Sequence, residues 1–324
     1  MKAAGRRRPH VPVTEERKVQ VQPDISPESK PLYLHDKRTI LVVESEGSIF
    51  DALKFWHERA YLPAFTACFG IGADPALCGE IWKNVALASP LRGEDPLSIL
   101  HAALKVLNIL VPSAHRAAVL HMLERSKTES GSRSDLLELG DKNPAEMAVI
   151  DWLSMSESLI EEAGRVPHFS TAEEFLRSLP YISGKANVLA CSTLAETGAA
   201  SMWESAGMGR LYTRLAGKER GDRQEFLRAL VAGGQDRTAI VVVGSTASMF
   251  NAAQFAGLRF YPIVPGEEEE SWRHFAEDWF PLYLRGEAWK IPTHGERFYD
   301  LVCGECNVRT MAAAVTESIS GRRP

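Results

Sequence analysis

The sequence predicts an α/β protein, a parallel sheet with an all-helical segment inserted after its first strand. First, the aliphatic run from Thr39 to Val43 has no polar alternation, which is typical of a strand buried on both faces of a parallel sheet. Second, after Gly184 short apolar runs alternate with helical segments of roughly 10–15 residues. Third, the long stretch between these parts shows only helical periodicity. An insertion at that point would lie over the carboxyl ends of the strands, where such sheets place their sites.

The composition excludes several classes of protein. The chain has 324 residues, of which 45% are hydrophobic and 24% charged, as in ordinary globular proteins. Its longest uncharged stretch, Thr238 to Leu258, is interrupted by Gly, Ser, Thr, Asn and Gln and is therefore not a membrane span. A net charge of −5 argues against nucleic acid. We therefore expect neither a membrane nor a nucleic acid as partner, and the sequence identifies no protein partner.

The cysteines favour a reducing compartment. There are five of them, an odd number, and no hydrophobic signal region precedes them. We therefore expect free thiols and a cytoplasmic protein. Cys303 and Cys306 have the spacing of a zinc or redox pair, but zinc needs about four ligands and there is no second pair. Two ordinary thiols are the better interpretation.

The chain is predicted to have four parts. Residues 1–36 contain three consecutive arginines, several prolines and no apolar periodicity, which predicts a disordered arm. Residues 37–50 and 184–310 are predicted to form the α/β core, and residues 51–183 a helical cap. Residues 311–324 are predicted to be a flexible tail.

Local signals give the individual elements. Asp74-Pro75, Asp95-Pro96 and Ser170 to Glu173 mark helix starts, and the Ser-, Gly- and charge-rich residues 126–143 predict a flexible connection. The predicted cap helices are 51–61, 75–87, 96–110, 113–124, 145–161 and 171–179. The predicted later elements are strands at 187–190, 211–214, 238–243 and 258–264 and helices at 193–206, 222–232, 246–256 and 267–282.

Two segments at predicted strand ends resemble motifs of the haloacid dehalogenase (HAD) superfamily. Val42 to Asp51 reads VVESEGSIFD and resembles the first motif, a strand followed by Asp-x-Asp-Gly and then Phe-Asp. Glu44 and Glu46 stand at the two aspartate positions. Leu189 to Thr193 resembles the second motif, a Ser or Thr at a strand end.

The other two motifs follow in the same order. Ala216 to Arg223 resembles the segment that carries the third-motif lysine, with Arg223 at the lysine position. Val241 to Met249 is similar to the fourth motif, Gly-Asp-x-x-x-Asp, with Ser245 and Met249 at the aspartate positions. Four motifs in the expected order imply a HAD-like, Rossmannoid core with a helical cap.

The resemblance implies a role for each position. In that superfamily the first Asp attacks phosphorus and the second is the general acid and base, while Ser or Thr and Lys hold the phosphoryl group. Glu44 and Glu46 are therefore at the catalytic positions, and Ser192, Thr193 and Arg223 at the phosphate-binding ones. Carboxylates of the first and fourth motifs bind Mg²⁺ in the family.

The substitutions predict that this chemistry is lost or much reduced. Glu44 is one methylene longer than the aspartate it replaces, and a displacement of about 1 Å can cost roughly a hundredfold in rate. The hydroxyl of Ser245 and the thioether of Met249 are poor ligands for a hard cation. We therefore expect no bound metal, or only weak binding of Mg²⁺.

Three functional hypotheses remain open. The first is a HAD-like pseudoenzyme whose cleft still binds a small phosphorylated ligand through Ser192, Thr193 and Arg223. The second is an active phosphohydrolase with Glu44 as nucleophile. The third is a non-catalytic interaction module. Arg92, in a segment that resembles a substrate-contacting cap loop, is either a ligand contact or a solvated residue between helices.

Overall fold

A parallel sheet forms the centre of the structure. The computed structural model describes residues 39–128, 143–182, 187–293, 295–304 and 307–321. Its strands are β1 (Ile40–Glu44), β2 (Asn187–Cys191), β3 (Arg214–Ala216), β4 (Ile240–Gly244) and β5 (Arg259–Pro262). Within the described residues they pair in the order β3-β2-β1-β4-β5, and every neighbouring pair is parallel. All of β1 is buried, as its unbroken aliphatic run predicts.

The register of the sheet brings distant segments together at one edge. Ile40 of β1 is aligned with Asn187 of β2 and with Ile240 of β4. Glu44 is therefore level with Cys191 at the carboxyl ends of the strands. The residues that follow β1, β2 and β4 meet at this edge, which is where parallel sheets bind their ligands.

The segment after β1 is helical. It contains α1 (Ala52–Trp56), a π-helical turn (His57–Tyr61), α2 (Leu62–Phe69), α3 (Pro75–Ala86), α4 (Pro96–Leu110), α5 (Ala114–Thr128), α6 (Pro144–Glu162) and α7 (Ser170–Ile182). The predicted N-caps act as expected, since the side chains of Asp74 and Asp95 accept hydrogen bonds from the amides of Ala76 and Ser98. The predicted α/β class, with helices inserted after the first strand, is confirmed.

The second half of the chain alternates strands and helices. Its helices are α8 (Glu196–Ser205), α9 (Arg223–Ala232), α10 (Ala247–Ala256), α11 (Glu268–His274), α12 (Phe280–Leu284), α13 (Gly295–Phe298) and α14 (Val308–Ser320). A π-helical turn, Phe275–Trp279, joins α11 to α12, and a second, Tyr299–Cys303, follows α13. β3 covers Arg214–Ala216, slightly later than the predicted strand at 211–214.

The packing differs from the predicted domain boundaries at two places. α7, expected in the cap, packs on the sheet, because Phe175 and Leu176 belong to the buried cluster that contains Val43 of β1. α14 lies where we expected a flexible tail from residue 311. It is ordered because Val315 belongs to a second cluster, formed mainly by α2 to α6 around Trp82 and other buried side chains.

Some expectations fall outside the structure. The arm predicted at 1–36, residues 129–142 of the predicted connection, and Cys306 are not among the described residues. Among the residues that are described, no helix is both long and apolar enough to cross a membrane.

Candidate functional site

Glu44, the last residue of β1, is fully buried at the carboxyl edge of the sheet. Its Oε2 accepts a hydrogen bond from the Ser245 amide at 2.8 Å, and its Oε1 accepts one from the Thr246 hydroxyl at 2.7 Å. Arg223 Nη2 lies 2.8 Å from Oε1. The carboxylate is thus held by two hydrogen bonds and one ion pair, all made by its own chain.

A glycine provides the room for this longer side chain. A Cβ added at Gly244, the last residue of β4, would lie 3.1 Å from Glu44 Oε2 and 2.8 Å from Met249 Cγ. Any other residue at position 244 would therefore press on the carboxylate from one side and on the buried Met249 from the other. The Glu44 side chain reaches past the end of β4, where its oxygens accept hydrogen bonds from the first two residues after that strand.

Glu46 lies in the turn after β1 and is 1% exposed. Its Oε1 accepts a hydrogen bond from Ser192 Oγ at 2.7 Å. Its Oε2 accepts hydrogen bonds from the Thr193 amide at 2.9 Å and from Thr193 Oγ1 at 3.2 Å. Burial raises the pKa of Glu46, although the hydrogen bonds to Ser192 and Thr193 and the nearby Arg223 act in the opposite direction.

The phosphate-binding positions therefore contact a carboxylate of the protein itself. Ser192 and Thr193 precede α8, which begins at Glu196, so they belong to a loop and not to the first helical turn expected from the sequence. Ser192 Oγ also accepts a hydrogen bond from the Leu194 amide at 3.1 Å. This loop presents a backbone N–H and two hydroxyls to one point, the usual makeup of an oxyanion site.

Arg223, the first residue of α9, carries the positive charge of the site. Burial on its own would lower the pKa of Arg223, but the charges of Glu44, Cys191 and Glu46 raise it above the ordinary arginine value. Arg223 is therefore charged, and it is bound to Glu44.

Arg92 is buried where the cap meets the sheet, so the solvated alternative for this residue is wrong. Its Nη1 donates to the Leu87 carbonyl at 3.2 Å, and its Nη2 lies 3.4 Å from Glu268 Oε1 of α11. The Nε atom is buried and has no hydrogen-bond partner within the described part of the chain. A contact between Arg92 and a ligand stays a prediction.

The residues present do not fit a magnesium ion. Mg²⁺ requires near-octahedral oxygen ligands, mostly carboxylates, phosphates and water. Both Glu44 oxygens already accept hydrogen bonds, and one of them is paired with a guanidinium. Ser245 offers a neutral hydroxyl and Met249 a thioether. Among the described residues, no group of three or more His, Cys, Asp or Glu side chains could hold a metal ion.

Sequence reasoning missed several residues around the site. Thr246, next to the fourth-motif position of Ser245, caps α10 and also donates to Glu44. Glu268 is the partner of Arg92. Asp51, the last residue of the first motif, has its pKa raised to about 6 by burial and by the carboxylate of Glu268. The motif spacing places Thr246 and Asp51 near the strand ends, but it does not indicate their contacts.

Comparison with known proteins finds likeness in solved structures alone. No protein-family model matches the chain, and no curated protein matches it. A predicted phosphoglycolate phosphatase from Haemophilus somnus is 11% identical, with 71% of this chain and 87% of that one covered and a TM-score of 0.44. A HAD-superfamily hydrolase from Geobacter sulfurreducens is 15% identical, with 71% and 89% covered and a TM-score of 0.38.

A haloacid dehalogenase-like family protein from Streptococcus pneumoniae is 13% identical, with 73% and 91% covered and a TM-score of 0.39. The last two are named as a HAD-superfamily hydrolase and a haloacid dehalogenase-like family protein. With identities of 11–15% and TM-scores below 0.5, these likenesses carry no argument about function. The function has to be inferred from this chain's own residues.

Proposed function

We propose that this protein is a HAD-like protein that has lost most or all of its magnesium-dependent phosphatase activity and retains a residual cleft for phosphate or another anion. The observation that carries this proposal is that the carboxylates at both catalytic positions are bound to donors of the chain itself. Glu44 and Glu46 are thus hydrogen-bonded to other residues of the same cleft.

Each chemical step meets an obstacle. A nucleophile must present a free lone pair at roughly 3–3.5 Å from the atom it attacks, whereas Glu44 is held by Ser245, Thr246 and Arg223. A general acid has to reach the leaving group, whereas Glu46 is turned toward Ser192 and Thr193. The charge of a transferring phosphoryl group needs cations, and Arg223 is already paired.

An assay of phosphate release tests directly whether the protein has lost phosphoryl transfer. The purified protein, incubated with Mg²⁺ and a panel of phosphate esters, should turn over far more slowly than about 1 s⁻¹, the low end of ordinary enzymes. Glu44→Gln should leave the residual rate unchanged, and so should the exposed control Glu161→Gln on α6. Turnover of about 1 s⁻¹ that Glu44→Gln abolishes and Glu161→Gln preserves would refute the proposal and favour an active enzyme that depends on Glu44.

A further inference from the structure

The environment of Glu46 is unusual for a buried carboxylate. Buried carboxylates are costly unless they are paired with a cation and hydrogen-bonded. The guanidinium of Arg223 is paired with Glu44, and Glu46 takes its hydrogen bonds from neutral groups, the two hydroxyls and the amide of Ser192 and Thr193. The raised pKa of Glu46 reflects this cost of burial.

The donors themselves would suit a different occupant. They converge within 2.7–3.2 Å on the two oxygens of one anion. A tetrahedral oxyanion offers more acceptor oxygens than a carboxylate and could keep all three hydrogen bonds. The carboxylate of Glu46 and a tetrahedral oxyanion would both be bound by the same hydroxyls and backbone amide.

We propose that Glu46 is an internal substitute for a bound oxyanion: its carboxylate occupies a latent phosphate site at Ser192 and Thr193 and keeps phosphate out. The inference rests on the proposed function, since it concerns the same cleft, and it identifies what regulates access there. The site is closed by the chain's own side chain and opens when that carboxylate is withdrawn.

Phosphate binding to a matched set of variants tests this proposal. Inorganic phosphate is titrated by calorimetry and by thermal shift, with sulfate and chloride at equal ionic strength in parallel. Glu46→Ala frees the three donors and should bind phosphate at least tenfold more tightly than the wild type. Its Tm should rise by a similar step for each tenfold increase in phosphate. Glu46→Gln keeps the shape of the side chain and should lie between the two.

Two controls separate a freed site from a simple loss of negative charge. Glu94→Ala removes another acidic group close to Arg223 without freeing Ser192 or Thr193, and it should gain no phosphate binding. The double variant Glu46→Ala/Ser192→Ala should lose most of the gain. Sulfate should behave like phosphate, and chloride should have little effect.

Other results of the same experiments would overturn the inference. Wild type that binds phosphate as tightly as Glu46→Ala would overturn the inference, and so would an equal gain in Glu94→Ala. If Glu46→Ala does not fold, Glu46→Gln binding no better than wild type overturns it. Phosphate release is followed in the same samples, so hydrolysis by the wild type would reject the proposed function independently of these results.

Discussion

The two buried glutamates show that residues of one type, two positions apart, can be held in different ways. Glu44 is paired with a guanidinium and accepts two further hydrogen bonds. Glu46 accepts hydrogen bonds from neutral groups and has its pKa raised by burial. The difference lies in which strand end each side chain reaches, since Glu44 turns toward β4 and Glu46 toward β2. The direction of each side chain therefore determines whether the glutamate is paired with a cation or hydrogen-bonded to neutral groups.

Asp51 gives a pH-dependent test at this scale. Burial, followed by the charge of Glu268, raises its folded-state pKa from 3.8 to about 6. The folded state therefore binds a proton more tightly than the unfolded state, and the contribution of Asp51 to stability decreases as pH rises from about 4 to 6. Asp51→Asn should stabilise the protein by about 1 kcal/mol at pH 7.5, a value reduced for partial exposure, and by almost nothing at pH 4.

Urea unfolding across pH 4 to 7.5 would show this as a gap between variant and wild type that widens with pH. The matched control is Asp151→Asn, an exposed aspartate on α6. If Asp51→Asn and wild type stayed parallel across the whole range, Asp51 would not be the group that titrates.

The sequence indicated which residues meet at the site but not what they do to one another. Glu44, Ser192, Arg223 and Ser245 follow strand ends that a parallel sheet must bring to one edge. The hydrogen bond between Glu46 and Ser192 joins residues 146 positions apart and depends on the direction of one side chain. Motif spacing carries no information on that direction, so the roles predicted for these residues stay predictions.

At the scale of elements, the cap loop Ser89 to Gly93 connects α3 to α4 and lies against the site. Gly93 has φ +73°, and a Cβ there would lie 2.8 Å from Thr246 Cγ2. At Gly72, with φ +77°, such a Cβ would meet no atom within 4 Å from any described residue other than its two chain neighbours. The two glycines share a backbone conformation that disfavours other residues and differ in their surroundings.

Replacing each glycine by alanine distinguishes the free-energy cost of the left-handed backbone conformation from the cost of a steric contact. Gly72→Ala should cost about 1–2 kcal/mol for the left-handed conformation alone. Gly93→Ala should cost a further 1–3 kcal/mol or so, because it also forces a methyl group onto Thr246. Denaturant midpoints at a common m value measure both. Equal losses would mean that the cap loop does not press on the site.

Element boundaries were predictable where a local signal existed. The N-caps Asp74 and Asp95 mark α3 and α4 as the sequence predicts. α14 was missed because its apolar pattern is built mostly from small residues, and such a helix is stable mainly through the surface it packs on. Its partners, α3 and α4, end at Ala86 and Leu110, far earlier in the chain than its first residue, Val308.

At the scale of the whole molecule, the described residues form two large buried clusters, one around the sheet and one within the cap. α14 contacts α3 and α4 and places Val315 and Ala312 in the cap cluster. An element from the carboxyl-terminal part of the chain thus completes a layer that begins before residue 70. The stability of the cap depends on both parts.

Two aspartate substitutions on α14 test this dependence. Val315→Asp places a charge in the cap cluster and should destabilise the protein by about 3 kcal/mol or more. Ala314→Asp, at an exposed position in the interior of the same helix, should cost only about 0.7 kcal/mol, the difference in helix propensity. Thermal unfolding compares the two. Similar losses would show that α14 is not part of the cap.

The position of α14 in the chain also affects the order in which parts of the structure can pack during translation. During translation α3 and α4 leave the ribosome long before Val315 does, and β1 must likewise wait for β4. The apolar faces that these elements will bury stay open on the nascent chain throughout that interval, when unfinished proteins are prone to aggregate. The face of β1 therefore stays open until β4 has emerged, and the faces of α3 and α4 stay open longer, until α14 has emerged.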